Sequence, residues 1–171
     1  GPFKAEDRII EYRLRELSQR RLVSLAVEEF ANQVASESPA PGGGSVAALQ
    51  GALGAALGAM VANLSSHKRG WDERWEEFSA WAERGEALKT ELLELVDEDT
   101  RAFQQVMAAM AMPKATVEQK AARSAALAAA NRVAIEVPYR TMQRAAACFD
   151  LLEAMVRDGN PASASDGAVG G

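Results

Sequence analysis

One cysteine and one histidine are all that this sequence offers of the two side chains that most readily serve as metal ligands or as a nucleophile and its base. Cys148 alone cannot form an intrachain disulfide framework, which fits a reducing cytosol. With His67 as its only companion there is no Cys/His constellation for a metal, so no metal centre is expected. Aromatic residues are scarce at 6%, the formal net charge is −5, and the small cluster His67-Lys68-Arg69 is the nearest thing to a basic block. That is not the electrostatic footprint of a nucleic-acid binder. No run alternates apolar and polar residues as a half-buried strand would. The first 21 residues are charged throughout and contain no apolar segment of the secretory-signal type.

A further absence is local. Between Ser38 and Ser66 there is no charged residue at all, a length that could cross a bilayer. Val46 to Leu64 nevertheless holds seven Ala and three Gly against four Leu, two Val and one Met, a low hydrophobicity for a span. A buried soluble helix is the better expectation, with Gly51, Gly54 and Gly58 offering flat faces on which neighbouring helices approach closely.

What is present favours helices. Apolar residues reach 48% and charged residues 25%, and the composition is rich in the good helix formers Ala, Leu, Glu and Arg, with Met among them. The expected class is therefore all-α, a helical bundle around a long, Ala/Gly-rich buried central helix. Residues 1–20 read as a linker or arm, and 21–171 as one helical domain.

The punctuation mark of the chain is Pro39-Ala40-Pro41-Gly42-Gly43-Gly44-Ser45, immediately before that apolar run. Two prolines and three glycines predict a shaped turn that presents a helix N-terminus, where unpaired N–H groups can cradle an anion. The plainer alternative is a connector needing positive φ, with Ser45 as its N-cap. The Walker spacing is absent, so this is not a phosphate-binding P-loop.

On either side the helices follow from caps and periodicity. Ser24 predicts a first helix from Leu25 to about Ser36, packing through Leu25, Phe30 and Val34. From Trp71 to Met110, apolar residues recur every three or four positions, with the tryptophans as packing groups, until Pro113 ends the element. Thr116-Val117-Glu118-Gln119 has capping-box spacing and opens a helix to about Glu136, which Pro138 then breaks or kinks. The last long helix runs from about Tyr139 to Arg157, with Met142, Ala146, Phe149, Leu152 and Val156 on one side and Gly159 as its C-terminal cap. Asn160 to Asp166 reads as a turn into a further helix start.

One carboxylate is out of place. The stripe through 88, 92, 95, 99, 103, 106 and 110 puts Asp99 among apolar neighbours on the buried side. A carboxylate there must be paired, hydrogen-bonded or functional, and burial favours a protonated carboxyl able to deliver a proton. A salt bridge to Arg123 or Arg140 is the structural alternative. Asp97 lies about 200° round the helix, so it is expected on the solvated surface and not in a carboxylate dyad. His67 is expected as a surface residue. Lys114, beside Pro113, could meet an acidic ligand. Asn160, Ser165 and Asp166 form a polar cluster whose commonest use is capping.

Five motifs in order carry a resemblance. Ser38-Pro39-Ala40-Pro41-Gly42-Gly43-Gly44-Ser45-Val46-Ala47-Ala48, Asp97-x-Asp99-x-x-Ala102-Phe103, Met112-Pro113-Lys114, Val137-Pro138 and Gly159-Asn160-x-x-Ser163-x-Ser165-Asp166 resemble the formiminotetrahydrofolate cyclodeaminase and methenyltetrahydrofolate cyclohydrolase family. The likeness runs from Leu25 to Asp166. Pro2 to Tyr12 looks like the segment that joins a glutamate formiminotransferase to its cyclodeaminase in fused enzymes, which favours the deaminase branch.

The resemblance implies an all-α fold that associates as a homodimer or higher oligomer. It also implies a folate substrate, with no cofactor beyond the tetrahydrofolate that carries the one-carbon group. The implied reaction closes 5-formiminotetrahydrofolate to 5,10-methenyltetrahydrofolate with release of ammonia. The alternatives are the cyclohydrolase reaction and a catalytically silent assembly module. It places Asp99 as the acid/base, and Gly42, Gly43, Gly44 and Ser45 as one wall of the folate pocket. Asn160, Ser165 and Asp166 are its polar contacts, and Lys114 partners the folate glutamate tail. Members usually continue past the Ser-Asp motif with a helix containing Asn-Val-x-Ile-Asn-Leu, so a C-terminal helix is implied to be missing here.

Overall fold

The computed structural model describes residues 21–171; the expected arm over residues 1–20 lies outside the described residues. Among the described residues there are five α-helices and no strand: α1 (Val27–Val34), α2 (Gly43–Ser66), α3 (Trp75–Ala111), α4 (Val117–Asp158) and α5 (Ala164–Gly170). The expected all-α class is what is found. The chain divides into two compact units, one made of the described residues up to Val46 with Val96–Pro138, the other of Ala47–Leu95 with Tyr139–Gly171.

Several boundaries differ from the sequence expectation, each for a physical reason. Ser24 falls in a 3-10 turn, Leu22–Ser24, and α1 starts after Ala26 with no side-chain cap. Helix α2 begins earlier than Val46. Gly43 and Gly44 already lie in its first turn, and the Gly42 carbonyl accepts the Val46 N–H at 3.1 Å, making Gly42 the cap and Ser45 the third helical residue. None of Gly42, Gly43 and Gly44 has positive φ, so their backbones are not there to make a left-handed turn. The Ala40-Pro41 peptide bond is cis.

Pro138 does not end a helix. Helix α4 runs through it, with Val137 before it and Thr141 after it both buried. A proline removes one backbone donor, a cost of about 3 kcal/mol in a helix interior, and side-chain burial on either side offsets that locally. The start of α4 follows its sequence. Thr116 Oγ1 accepts the Gln119 N–H at 3.2 Å while Gln119 Oε1 accepts the Thr116 N–H at 3.2 Å, a reciprocal capping box.

In the second unit, Val61, Ala62, Phe78, Ala82, Leu151, Ala154 and Met155 form a core cluster, against which Trp71 and Trp81 pack. Trp71 stacks on Phe78 with ring centroids 5.5 Å apart. Trp75, expected in the stripe, is instead 54% exposed. Helix α2 is buried on one side only. Ala52, Ala55, Ala59 and Ala62 face the core of this unit, and a Cβ on Gly58 would sit 2.7 Å from Leu151 Cδ2, so small residues are what let the helices approach. Leu53, Met60 and Leu64 lie exposed on the other side.

Helix α4 is rotated relative to expectation in the same way. Cys148, Leu151, Leu152, Ala154 and Met155 are buried, whereas Met142, Phe149 and Val156 are exposed. The helix carries two apolar stripes, and periodicity alone does not say which of them turns inward. Gly159 follows α4 as expected, its N–H donating to the Met155 carbonyl at 3.1 Å.

Candidate functional site

The first unit brings the glycine segment and the anomalous carboxylate together. Ser45, in the first turn of α2, donates its backbone N–H to Asp99 Oδ2 at 2.9 Å and its hydroxyl to the same oxygen at 3.0 Å. Asp99 thus caps α2 from α3. A helix N-terminus leaves its first N–H groups unpaired and carries a partial positive charge, and a carboxylate there is stabilised by roughly 0.3–1 kcal/mol, more where partly buried. Among the described residues Asp99 makes no ion pair; of the arginines considered from the sequence, Arg123 donates instead to the Met110 carbonyl at 3.3 Å.

Glycine is required at position 44 by this approach. A Cβ there would fall on the Asp99 carboxylate, 2.5 Å from Cγ, whereas one on Gly43 would meet nothing within 4 Å. The glycines serve contact with the carboxylate and not a turn conformation.

Beside them opens a cavity of about 340 Å3. Its walls come wholly from the first unit: Pro39, Gly42, Gly43 and Gly44 on one side, Asp99, Thr100, Phe103 and Val106 of α3 on another, and Asn131 of α4. Asp99 is the only ionisable side chain among the lining residues. The lining is otherwise small or apolar, with Thr100 and Asn131 as neutral polar groups. Such a site can hold a flat, largely apolar group and offer one proton-transfer residue to it. Asn131 and Thr100 were not singled out from the sequence. Neither occupies a position anomalous enough to stand out, since Asn131 lies in an Ala-rich helix and Thr100 directly follows Asp99.

The remaining candidates are placed elsewhere. Ser45 is fully buried and does not line the cavity. Lys114 is exposed in the segment between α3 and α4 and is not a lining residue. Asn160, Ser165 and Asp166 belong to the second unit. There the Asn160 N–H donates to the buried Ser65 Oγ of α2 at 2.8 Å, a tertiary bond, and Asn160 Oδ1 accepts the Ala162 N–H at 3.2 Å within the turn. Ser165 is exposed and Asp166 half-buried, both in the first turn of α5.

Asp97 is a correction. It is buried, not solvated: Oδ1 accepts the Leu22 N–H at 2.6 Å and Oδ2 the Arg21 Nε–H at 3.1 Å. Its role is to fasten the chain at the entry to the first unit. His67 is exposed, as expected.

Comparison with known proteins adds four findings. The family model described as "Formiminotransferase-cyclodeaminase" matches residues 26–171. The methenyltetrahydrofolate cyclohydrolase of Methylorubrum extorquens is 38% identical over 143 residues, 84% of this chain and 69% of that protein. The formimidoyltransferase-cyclodeaminase of Sus scrofa is 37% identical over 167 residues, 97% of this chain, which spans only 31% of that protein. Among solved structures, the formiminotetrahydrofolate cyclodeaminase of Thermotoga maritima superposes with a TM-score of 0.74 at 30% identity, covering 87% of this chain and 70% of that one.

Proposed function

Since this chain belongs to the formiminotransferase-cyclodeaminase family, we propose that it closes 5-formiminotetrahydrofolate to 5,10-methenyltetrahydrofolate and releases ammonia. The observation that carries this reading is the placement of Asp99, the only ionisable side chain on the cavity wall, at the N-terminus of α2. N10 of the folate attacks the formimino carbon, and Asp99 takes the N10 proton. The carboxyl group then protonates the former imine nitrogen, a second proton reaches that nitrogen from solvent, and the C–N bond breaks to release ammonia. The remaining positive charge is shared over N5, the bridging carbon and N10.

The glycine wall of Gly42, Gly43 and Gly44 lets a flat ring system lie close to backbone, and Asn131 and Thr100 offer hydrogen bonds to it. Lys114, in the same unit as the cavity, is retained as a polar contact for the glutamate tail of the folate. Self-association is part of the proposal, and the apolar stripe of Met142, Phe149 and Val156 exposed on α4 supports it. So is a cytosolic setting, in fusion or association with a glutamate formiminotransferase, as in the fused relatives.

The Methylorubrum relative favours a second reading, hydrolysis of the methenyl bridge. There water adds to the bridging carbon, one of its protons leaves through Asp99, the other ends on N5, and the N5–C bond opens. Spectrophotometric turnover of the two substrates separates the readings: formation of the methenyl chromophore from 5-formiminotetrahydrofolate is expected, and activity on methenyltetrahydrofolate alone overturns the deaminase reading.

A further inference from the structure

A buried hydroxyl beside a proton-transfer residue has work that differs from binding. Ser45 Oγ lies 2.9 Å from the Val96 carbonyl oxygen, 3.0 Å from Asp99 Oδ2 and 3.4 Å from Thr100 Oγ1, with no exposure to solvent. A serine hydroxyl has one proton to donate and two lone pairs with which to accept. Two strong acceptors therefore share a single donor. When Asp99 is ionised, the hydroxyl donates to Oδ2. Oδ2 already accepts two donors from Ser45, so the proton exchanged with substrate sits on Oδ1, and Oδ2 keeps the Ser45 N–H and hydroxyl bonds whether or not Oδ1 is protonated. Both states are fully hydrogen-bonded with the same heavy-atom positions.

We propose that Ser45 is a positioning residue for Asp99: its N–H and hydroxyl together hold Oδ2, which fixes the carboxyl group and leaves Oδ1 as the oxygen that exchanges a proton with substrate. This rests on the reading of Asp99 as the acid/base. The transferred proton travels between substrate and Asp99, and Ser45 keeps its own throughout.

Asp99 has no charged partner on the cavity wall. The segment Pro39 to Gly42, the first turn of α2, and Asn131 and Ala134 of α4 bring no charged side chain to its wall. On α3 itself, Asp97 is engaged by Arg21 and Leu22, Glu98 is half-buried and Arg101 is exposed.

Ser45→Ala removes the hydroxyl and keeps the backbone N–H that holds Oδ2. In the full chain, kcat is expected to fall about tenfold or more with KM within about twofold. The pH at half-maximal kcat is expected to move upward, because the ionised carboxylate loses a donor. Independently of activity, the Asp99 carboxyl 13C resonance followed through pH without folate should show its midpoint displaced upward in Ser45→Ala. Ser45→Cys, of similar size with a weak donor, should lie between. An unchanged midpoint overturns the proposal, as does a raised KM with kcat unaltered, which would make Ser45 a substrate contact. If the wild type turns over neither folate while the midpoint still moves, the positioning role stands and the reaction reading fails. Should Ser45→Ala not fold, the Ser45→Cys midpoint alone decides.

Discussion

The Asp99 carboxylate occupies the space that a side chain at position 44 would need: a Cβ on Gly44 would lie 2.5 Å from Asp99 Cγ and 2.9 Å from Oδ2. Two segments more than fifty residues apart are thereby fitted to each other, with Ser45 supplying the hydrogen bonds that hold the fit.

Gly44→Ala should therefore displace Asp99 from the end of α2 and lower stability by about 1–3 kcal/mol, the usual range for overpacking. Gly43→Ala, with open space around its Cβ, should leave stability unchanged or raise it by up to about 1 kcal/mol through the unfolded chain. Urea unfolding midpoints of the two variants test this; equal midpoints would show that the close approach does not constrain position 44.

The buried Asp97 supports structure and not chemistry. Asp97→Ala leaves the Leu22 N–H without its acceptor and should cost about 1–3 kcal/mol. Arg21→Ala should cost less than about 1 kcal/mol, since that side chain is 63% exposed. Turnover per folded molecule should be unaltered in both, and a specific loss of kcat in Asp97→Ala would place this residue in the reaction after all.

Burial pushes the Cys148 thiol above its ordinary range, with nearby Arg84 opposing the shift. The native state therefore holds its thiol proton more tightly than the unfolded chain does. The thiol's contribution to stability is present below the unfolded value and is lost as pH rises through the native one. The thiol should resist a disulfide exchange reagent in the native protein and react on unfolding, and Cys148→Ala should flatten the alkaline fall in stability. Prompt reaction of the native protein would contradict its burial.

What could be read in advance divides along physical lines. The capping box at Thr116 and Gln119 was legible because both partners lie within one turn of helix. Asp99 was legible because a charged residue interrupted an apolar stripe. Its contact with Gly44 and Ser45 joins positions more than fifty residues apart, which no local pattern announces. Asp97 was misjudged because the partners that bury it, Arg21 and Leu22, are 76 and 75 residues away in the chain. The inward face of α4 was misjudged because that helix has two apolar stripes. Ser45 was expected at the pocket surface, and only its contacts with Val96 and Asp99 show that it stands behind the wall.

The central claim is that Asp99 moves the proton. It is tested most directly by following methenyl formation from 5-formiminotetrahydrofolate with the wild type and with Asp99→Asn, a variant that keeps an oxygen for Ser45 while losing the ionisable group. A loss of about a hundredfold or more in kcat, with helix content and melting temperature preserved, is the result expected of a proton-transfer residue. Cyclisation at the wild-type rate by a folded Asp99→Asn protein would contradict the account.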